Sequence, residues 1–236
     1  MNFPHKNIFR IAHWIVVLSI PVFVGFGIII LSITPLYPRY EYAKESFPPD
    51  NYGWTQEQRL ELALVAVAYL RRPEPAEEVI FMLEEQRLPG SDEPLYNEEE
   101  ISHMIDVKLV ADGLIERASL IAGAIAILGL IVLFWQPETR LLGYRAVRRG
   151  GMVLTLLLVG IGLFILIGWN TFFTLFHELL FPPDTWSFPL TDSLIRLFPN
   201  KFWFDYGTLT SGAVFVSGVI IWLLGAYLVR RHKQSG

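Results

Sequence analysis

Two histidines, His103 and His177, are the residues of this chain best suited to chemistry. An imidazole can take up a proton near neutral pH and return it, so histidine often serves as a general acid or base. Asp106 follows His103 by three positions, which places the two side chains on one face of a helix. Because a carboxylate beside an imidazole fixes its tautomer and raises its basicity, Asp106 is the candidate to orient His103.

Each of these residues also has a plainer interpretation. His103 could be an ordinary residue of a helix surface, and His177, which follows several phenylalanines, could simply be packed among them. The two histidines and Asp106 could also ligate zinc, although their spacing is not diagnostic of a metal site. Lys108 lies five positions after His103 and points elsewhere on a helix, so it is kept only as a candidate for substrate binding.

A second group of candidates lies in residues 176–205, between two apolar runs. This segment is too polar for a bilayer core and is rich in aromatic residues, which favours the headgroup region of a membrane. Asp192 and Arg196 are four positions apart on a predicted short helix, which favours a surface ion pair between them. Arg196 could instead hold an anionic headgroup or an oxyanion.

Several classes of site are excluded by the sequence. The chain contains no G-x-S-x-G, H-E-x-x-H or Walker A pattern. It has no cysteine, so it offers neither a cysteine nucleophile nor a thiolate metal site. The three remaining histidines are expected to be surface or interfacial residues: His5, His13 and His232.

The elements that must position these residues include membrane helices. Of the 236 residues, 53% are hydrophobic, and the mean hydropathy is +0.41. Four uncharged apolar runs occupy residues 14–33, 118–135, 151–169 and 209–229. Each is close to the roughly 20 residues that an α-helix needs to cross a bilayer. The first run is too long for a signal-peptide core and is followed by no cleavage site, so it is expected to remain as an anchor.

Basic residues predict the orientation of the four helices. The segments before residue 14, from 136 to 150 and after residue 229 hold nine Lys and Arg and one acid. Under the positive-inside rule these segments are cytoplasmic. The two segments on the other side, residues 34–117 and 170–208, hold 10 basic and 22 acidic residues. An acidic outer face argues against nucleic acid as a partner.

The sequence therefore predicts an all-α membrane protein with four transmembrane helices. An extracytoplasmic helical domain is expected over 34–117, a basic cytoplasmic loop over 136–150 and an interfacial segment with the active site over 170–208. Thr55 with Gln58 and Asn97 with Glu100 are capping boxes that predict helix starts. The predicted helices of the outer segments cover 56–72, 75–88, 98–118 and 192–198.

Two motifs give a resemblance to a known family. The pattern FH-x-x-x-F…W-x-F…TD-x-LI-x-x-FP-x-x-FW-x-D runs from residue 176 to 205, and H-x-x-DVK covers residues 103–108. Together with the four-helix layout, they resemble the lipoprotein intramolecular transacylase (Lit) family of bacterial membrane proteins. Several fixed spacings agree at once in the longer motif, which makes it the more specific of the two.

The resemblance implies an acyltransferase that uses no cofactor. It would act on diacylated lipoproteins at the outer face of the bacterial cytoplasmic membrane, among membrane lipid. The acyl chain would move from sn-2 of the diacylglyceryl-cysteine to the α-amino group of the same cysteine, directly or through an acyl-imidazole. The resemblance implies His103 and His177 as the catalytic pair, with Trp186, Asp192 and Arg196 lining the site.

Two other classes of function compete with this one. A metal-dependent lipid hydrolase could use His103, His177 and Asp106 as ligands. A membrane adaptor or assembly factor could bind a partner through the acidic outer domain without any catalysis. A channel or transporter is disfavoured, because the four apolar runs contain no ionisable residue.

Overall fold

The structure, a computed structural model, describes residues 6–234, so His5 lies outside the described residues. Within this range the chain is helical, and its β-structure is confined to one isolated bridge between Arg87 and Pro94. The predicted all-α class is confirmed. The α-helices are α1 Lys6–Ser32, α2 Leu36–Tyr42, α3 Gln56–Leu70, α4 Ala76–Val79, α5 Phe81–Glu84, α6 Glu98–Leu109, α7 Arg117–Trp135, α8 Arg140–Ile167, α9 Trp169–Leu180, α10 Ser193–Leu197 and α11 Asn200–Gln234.

Four helical stretches are long and apolar enough to cross a membrane. They are Asn7–Ser32, Glu98–Trp135, Pro137–Ile167 and Asn200–Gln234. The second includes α6, a π-helix over Val110–Glu116 and α7. The segment 136–150, predicted to be a loop, is instead helical from Arg140 onward. Its charged residues do not interrupt helical hydrogen bonding, because Arg is a good helix former.

The chain divides into two compact units, and the one that contains most of the apolar helices includes residues 6–30, 115–163 and 209–234. Small residues allow close helix packing there: a Cβ on Gly225 would lie 2.5 Å from Cα of Arg148. His13, expected at the surface or interface, is buried in this unit and its Nδ1 lies 3.0 Å from the carbonyl oxygen of Leu142.

The other unit contains residues 31–114 and 164–208. Both predicted capping boxes are present and start α3 and α6. The helix predicted over 75–88 is instead the two short helices α4 and α5, and it ends at Glu84. The core of the unit is aromatic and aliphatic, and its buried members include Tyr42, Ala66, Tyr69, Leu83 and Leu197.

Buried polar side chains attach residues 193–202 to this core. Glu100, which is 1% exposed, accepts a hydrogen bond from the backbone N–H of Leu194 at 2.7 Å. Tyr42 donates its hydroxyl to the carbonyl of Leu197 at 2.6 Å, and Arg59 donates from Nε to the carbonyl of Arg196 at 2.9 Å. Because these partners lie 94 to 155 residues apart in sequence, the contacts hold the two outer segments together in one unit.

Candidate active site

Helix α6 positions His103 in its second turn. The side chain of Asn97 accepts a hydrogen bond from the backbone N–H of Glu100, and Glu100 accepts one from the backbone N–H of Asn97. This reciprocal cap satisfies N–H groups that would otherwise lack partners and fixes the start of the helix. His103 is 8% exposed and is therefore part of the interior of its unit.

Helix α9 positions His177 and also fixes its tautomer. Nδ1 of His177 lies 2.7 Å from the carbonyl oxygen of Phe173, one turn earlier in the helix. A carbonyl oxygen can only accept, so Nδ1 carries the hydrogen and donates it. In the neutral ring Nε2 then has the free lone pair, and it is the nitrogen that can accept a proton.

The two histidines lie beside each other in the structure. Their ring centroids are 6.4 Å apart and the rings are inclined by 24°. His103 also contacts the rings of Phe181 at 5.0 Å and Phe188 at 5.3 Å. His177 contacts Phe181 at 5.5 Å and Trp186 at 5.1 Å. The sequence-predicted residues His103, His177 and Trp186 are thus brought together, and the two phenylalanines complete an aromatic cluster around them.

The environment of His177 favours its neutral form. Burial lowers the pKa of the His177 imidazole from its ordinary value, and the hydrogen bond to Phe173 opposes this shift without cancelling it. A buried imidazole loses hydration that its charged form needs, which is the physical cause of the shift. His177 is consequently available as a base at neutral pH.

Two ring nitrogens in the cluster are buried without a hydrogen-bond partner among residues 6–234: Nδ1 of His103 and Nε1 of Trp186. Nearly all buried polar atoms in folded proteins have partners, so each exception requires an explanation. Both atoms belong to rings that contact His177. These rings therefore leave two polar atoms beside His177 without a hydrogen bond inside the described chain.

The turn between Phe181 and Phe188 brings Trp186 to the histidines. Pro182 and Pro183 end helix α9 because proline cannot continue a helix. Asp184 adopts a positive φ of 64°, and the hydroxyl of Thr185 donates to the carbonyl of Pro182 at 2.9 Å. Aspartate tolerates this left-handed conformation better than most residues. The backbone therefore reverses within a few residues of His177.

Asp106 does not orient His103, contrary to the sequence-based expectation. Nδ1 of His103 has no partner in the described chain, and Asp106 is half-buried on the same helix. Residues three apart on a helix point in similar but not identical directions. His103 instead has a backbone hydrogen bond with Thr185, and its ring packs against Phe181 and Phe188.

Lys108, a candidate for substrate binding, has internal partners. Its side chain is fully buried, donates to the carbonyl of Arg72 at 2.6 Å and pairs with Asp112 at 2.9 Å. The ammonium group lies 5.8 Å from the ring centre of Tyr69. Burial of a charge requires such partners, so Lys108 stabilises the end of α6 and the π-helix that follows.

The predicted ion pair between Asp192 and Arg196 does not form, because Arg196 pairs with Asp50. Arg196 donates from Nε and from an Nη to the two carboxylate oxygens of Asp50, each at 2.9 Å, and its guanidinium stacks on Trp54. Asp192 accepts from the side-chain amide of Asn97 at 3.2 Å. Helical spacing could not indicate Asp50, because that residue is 146 positions away.

Hydrogen bonds keep the Asp50 carboxylate in its charged form. Burial acts to raise its pKa, but hydrogen bonds from Arg196 and from the backbone N–H groups of Trp54 and Tyr52 outweigh burial and lower the pKa of Asp50 to about 2. Asp50 was missed by the sequence analysis. The acidic and aromatic residues around it give no local signal of a partner so distant in sequence.

A metal centre is not supported by the arrangement of side chains. Within residues 6–234, no group of three His, Cys, Asp or Glu side chains is placed to hold a metal ion. The alternative hydrolase needs His103, His177 and Asp106 as ligands, and these three residues do not form such a group.

A comparison with known protein families places the chain. The family described as lipoprotein intramolecular transacylase Lit matches residues 6–203, which is most of the sequence. The chain belongs to the Lit family. It is therefore an acyltransferase of the membrane-integral type, and its four long apolar helices agree with that class.

The chain is also similar to individual proteins in sequence or in fold. An uncharacterized protein of Aquifex aeolicus (strain VF5) is 26% identical over 211 residues, which cover 87% of this chain and 89% of the relative. The in meso structure of the membrane integral lipoprotein intramolecular transacylase Lit from Bacillus cereus has a TM-score of 0.66 at 18% identity, covering 98% of this chain and all of the other. A form of that protein with a histidine replaced by arginine has a TM-score of 0.67 at 19% identity, with 98% and 96% covered.

Proposed function

We propose that this Lit-family protein moves the sn-2 acyl chain of a diacylglyceryl-cysteine lipoprotein to the α-amino group of the same cysteine. The observation that carries the proposal is the pair of His103 and His177 rings, 6.4 Å apart within an aromatic cluster. Family membership supplies acyl transfer as the reaction class. The paired imidazoles supply groups that can move the proton that an O-to-N transfer requires.

The chemistry needs one proton transfer and accurate positioning. A C–N bond forms, the ester C–O bond breaks, and one proton passes from nitrogen to the departing glyceryl oxygen. An α-amino group has a pKa of about 8 and is mostly protonated near pH 7, so a base must expose its lone pair. General base catalysis contributes about 10²–10⁴-fold. Because both reacting groups belong to one molecule, holding them together supplies much of the remaining acceleration.

The two histidines have different proposed roles. His177 accepts the proton at Nε2, since its Nδ1–H is already donated to Phe173, and it then returns the proton to the glyceryl oxygen. His103 has a backbone hydrogen bond with Thr185 and, within residues 6–234, an unpartnered Nδ1, and its proposed role is to position the substrate through that nitrogen. Direct transfer fits these roles better than an acyl-imidazole, because Nε2 of His177 must stay free to carry the proton.

Of the four candidate substrate-binding residues, we retain Trp186 at the site. Lys108, Asp192 and Arg196 each have polar partners within the protein, so we assign them to holding the elements around the site. The reaction as written requires no cofactor.

The proposed location is the extracytoplasmic face of the bacterial cytoplasmic membrane. The distribution of Lys and Arg between the predicted loops supports this orientation. The substrate would be a diacylated lipoprotein anchored in the same membrane. Its glyceryl ester lies at headgroup depth, where the aromatic residues of the segment 170–208 are expected.

The test is to produce the protein in a bacterium whose lipoproteins carry a free α-amino diacylglyceryl-cysteine. Tandem mass spectrometry of the N-terminal lipopeptide then locates both acyl chains. We expect an N-acylated, monoacylglyceryl product that is lost on His103→Ala and on His177→Ala. His232→Ala is the matched control, because it removes a histidine from the C-terminal end of α11 and should leave the product unchanged.

An unchanged diacyl, free-amine lipopeptide would contradict the proposal, provided that the protein is present and folded in the membrane. That outcome would favour the adaptor. Release of free fatty acid without N-acylation, abolished by a chelator, would favour the metal-dependent hydrolase.

A further inference from the structure

We infer that Trp186 is a catalytic residue that donates its indole N–H to the carbonyl oxygen of the ester under attack. This inference rests on the proposed function and deepens it by assigning a donor for the oxyanion. Trp186 lies beside the proposed base, since its ring centroid is 5.1 Å from that of His177 and the rings are inclined by 34°.

Nε1 of Trp186 is a buried hydrogen-bond donor without an acceptor among residues 6–234. Indole nitrogen is a donor that cannot accept, and a buried donor without an acceptor destabilises a folded protein. Nε1 of Trp186 is shielded from solvent and finds no acceptor in the described part of the chain. By contrast, Nε1 of Trp169, in the same unit, donates to the side-chain oxygen of Asn200. An unsatisfied donor next to a catalytic base is explained if the substrate supplies its acceptor.

The backbone before Trp186 forms a constrained turn. Two prolines precede it, Asp184 is in the left-handed region, and Thr185 donates to the carbonyl of Pro182. Unusual backbone conformations tend to occur where a functional group must be held in place. The turn presents the indole to His177 with a main chain that is already ordered, so donation requires little reorganisation.

The chemistry of the step requires such a donor. When the amine nitrogen attacks, the π electrons of the ester carbonyl move to oxygen, and the tetrahedral intermediate carries a negative charge there. The intermediate collapses when these electrons re-form the carbonyl and the glyceryl oxygen leaves with the proton held by His177. Trp186 neither gains nor loses a proton. Its N–H interacts more strongly with the charged oxygen than with the ester, which lowers the barrier in a water-poor site.

The two rings beside His177 have different proposed roles: Trp186 donates to the oxyanion, and His103 contacts the substrate through Nδ1. Their unpartnered nitrogens belong to two rings that each contact His177, at 6.4 Å and 5.1 Å between centroids. An indole nitrogen always carries a hydrogen, so donation by Trp186 does not depend on the tautomer of His103.

The experiment uses the full chain in lipid vesicles with a synthetic diacylglyceryl-cysteine lipopeptide. Trp186→Phe retains an aromatic ring and removes the N–H. We expect kcat to fall by about 10²–10³-fold, as when an oxyanion donor is removed elsewhere, with little change in KM. Trp203→Phe is the matched control, because Trp203 packs against Phe198 and Phe202 in the same unit.

Two unreactive lipopeptides separate donation from packing. One carries a phosphonate at sn-2, which imitates the charged tetrahedral carbon, and the other an sn-2 ether, which has no carbonyl. Trp186→Phe should weaken binding of the phosphonate and leave binding of the ether unchanged. Equal weakening of both would show a packing role and overturn the inference, as would an unchanged kcat.

A spectroscopic measurement covers the case in which Trp186→Phe does not fold. The indole N–H resonance of Trp186 in the wild-type protein should shift downfield with the phosphonate and not with the ether. Identical spectra would overturn the inference. Failure of the proposed function is a separate result, because the wild-type protein would then form no N-acyl product from the reactive lipopeptide.

Discussion

Two regions of the unit that contains residues 31–114 and 164–208 differ in how completely their buried polar groups are hydrogen-bonded. Around Asp50 and Arg196, the charged side chains are matched by hydrogen-bond partners, and both oxygens of Asp50 accept from Arg196. Around His103 and His177, one nitrogen in each of the two rings beside the proposed base has no partner within residues 6–234. The first region holds elements together, and the second leaves bonding capacity for another molecule. The difference separates residues that maintain the site from residues proposed to act in it.

The largest expected effect is on the free energy of unfolding, and it tests whether the pair of Asp50 and Arg196 stabilises the fold. Asp50→Ala leaves the Arg196 guanidinium without its carboxylate; the side chains of Arg196 and Asp50 are 10% and 1% exposed. Breaking a buried ion pair by removing one partner costs about 3–5 kcal/mol. Chemical denaturation in detergent micelles should show this loss, whereas Asp92→Ala, at an exposed position, should show almost none.

The opposite result would be an Asp50→Ala variant that unfolds at the same denaturant concentration as the wild-type protein but has lost its turnover. Asp50 and Arg196 would then belong to the reacting site. The substrate-binding role first suggested for Arg196 would be restored.

A smaller effect is expected on the pH dependence of turnover, and it tests whether His177 acts as a buried neutral base. The pKa of His177 is lowered, so the neutral ring that can accept a proton persists to lower pH than for an exposed histidine. We expect kcat to rise with pH through an inflection below 6.5, the ordinary value for histidine. Initial rates from pH 4.5 to 8 in a constant-ionic-strength buffer would locate it. An inflection above 6.5 would show that His177 is not a buried neutral base.

The smallest expected effect comes from Asp106→Asn. Nδ1 of His103 has no partner in the described chain, so neutralising Asp106 should change kcat by less than about threefold, the range of a peripheral substitution. Rates with the same lipopeptide provide the measurement, and Asp112→Asn is a useful comparison because it removes the ion pair of Lys108. A large loss with Asp106→Asn would indicate that Asp106 approaches His103 when substrate is bound.

The sequence was most informative where structure depends on local chemistry. Apolar runs predicted the four long helices, and the capping boxes at Thr55 and Asn97 start the helices that they predicted. The family motifs suggested His103 and His177, whose rings lie beside each other in the structure, and their catalytic role stays a prediction. In each case the signal lies within one helix or one short segment.

The sequence was least informative where partners are distant. Helical spacing indicated Asp106 for His103 and Asp192 for Arg196, yet aromatic rings surround His103 and Asp50 binds Arg196. Periodicity gives the direction of a side chain around its own helix. It contains no information about which residue of another element arrives there, and the two outer segments are separated by about 50 residues of chain.

One contact has a consequence for how this enzyme can vary. The group that fixes the tautomer of His177 is the main-chain carbonyl of Phe173, and every residue type at position 173 offers the same carbonyl. Substitution of the phenylalanine side chain therefore leaves the hydrogen on Nδ1, provided that the helix survives. Among relatives, the residue whose carbonyl binds the proposed base need not be conserved, and an alignment would reveal no partner for this histidine.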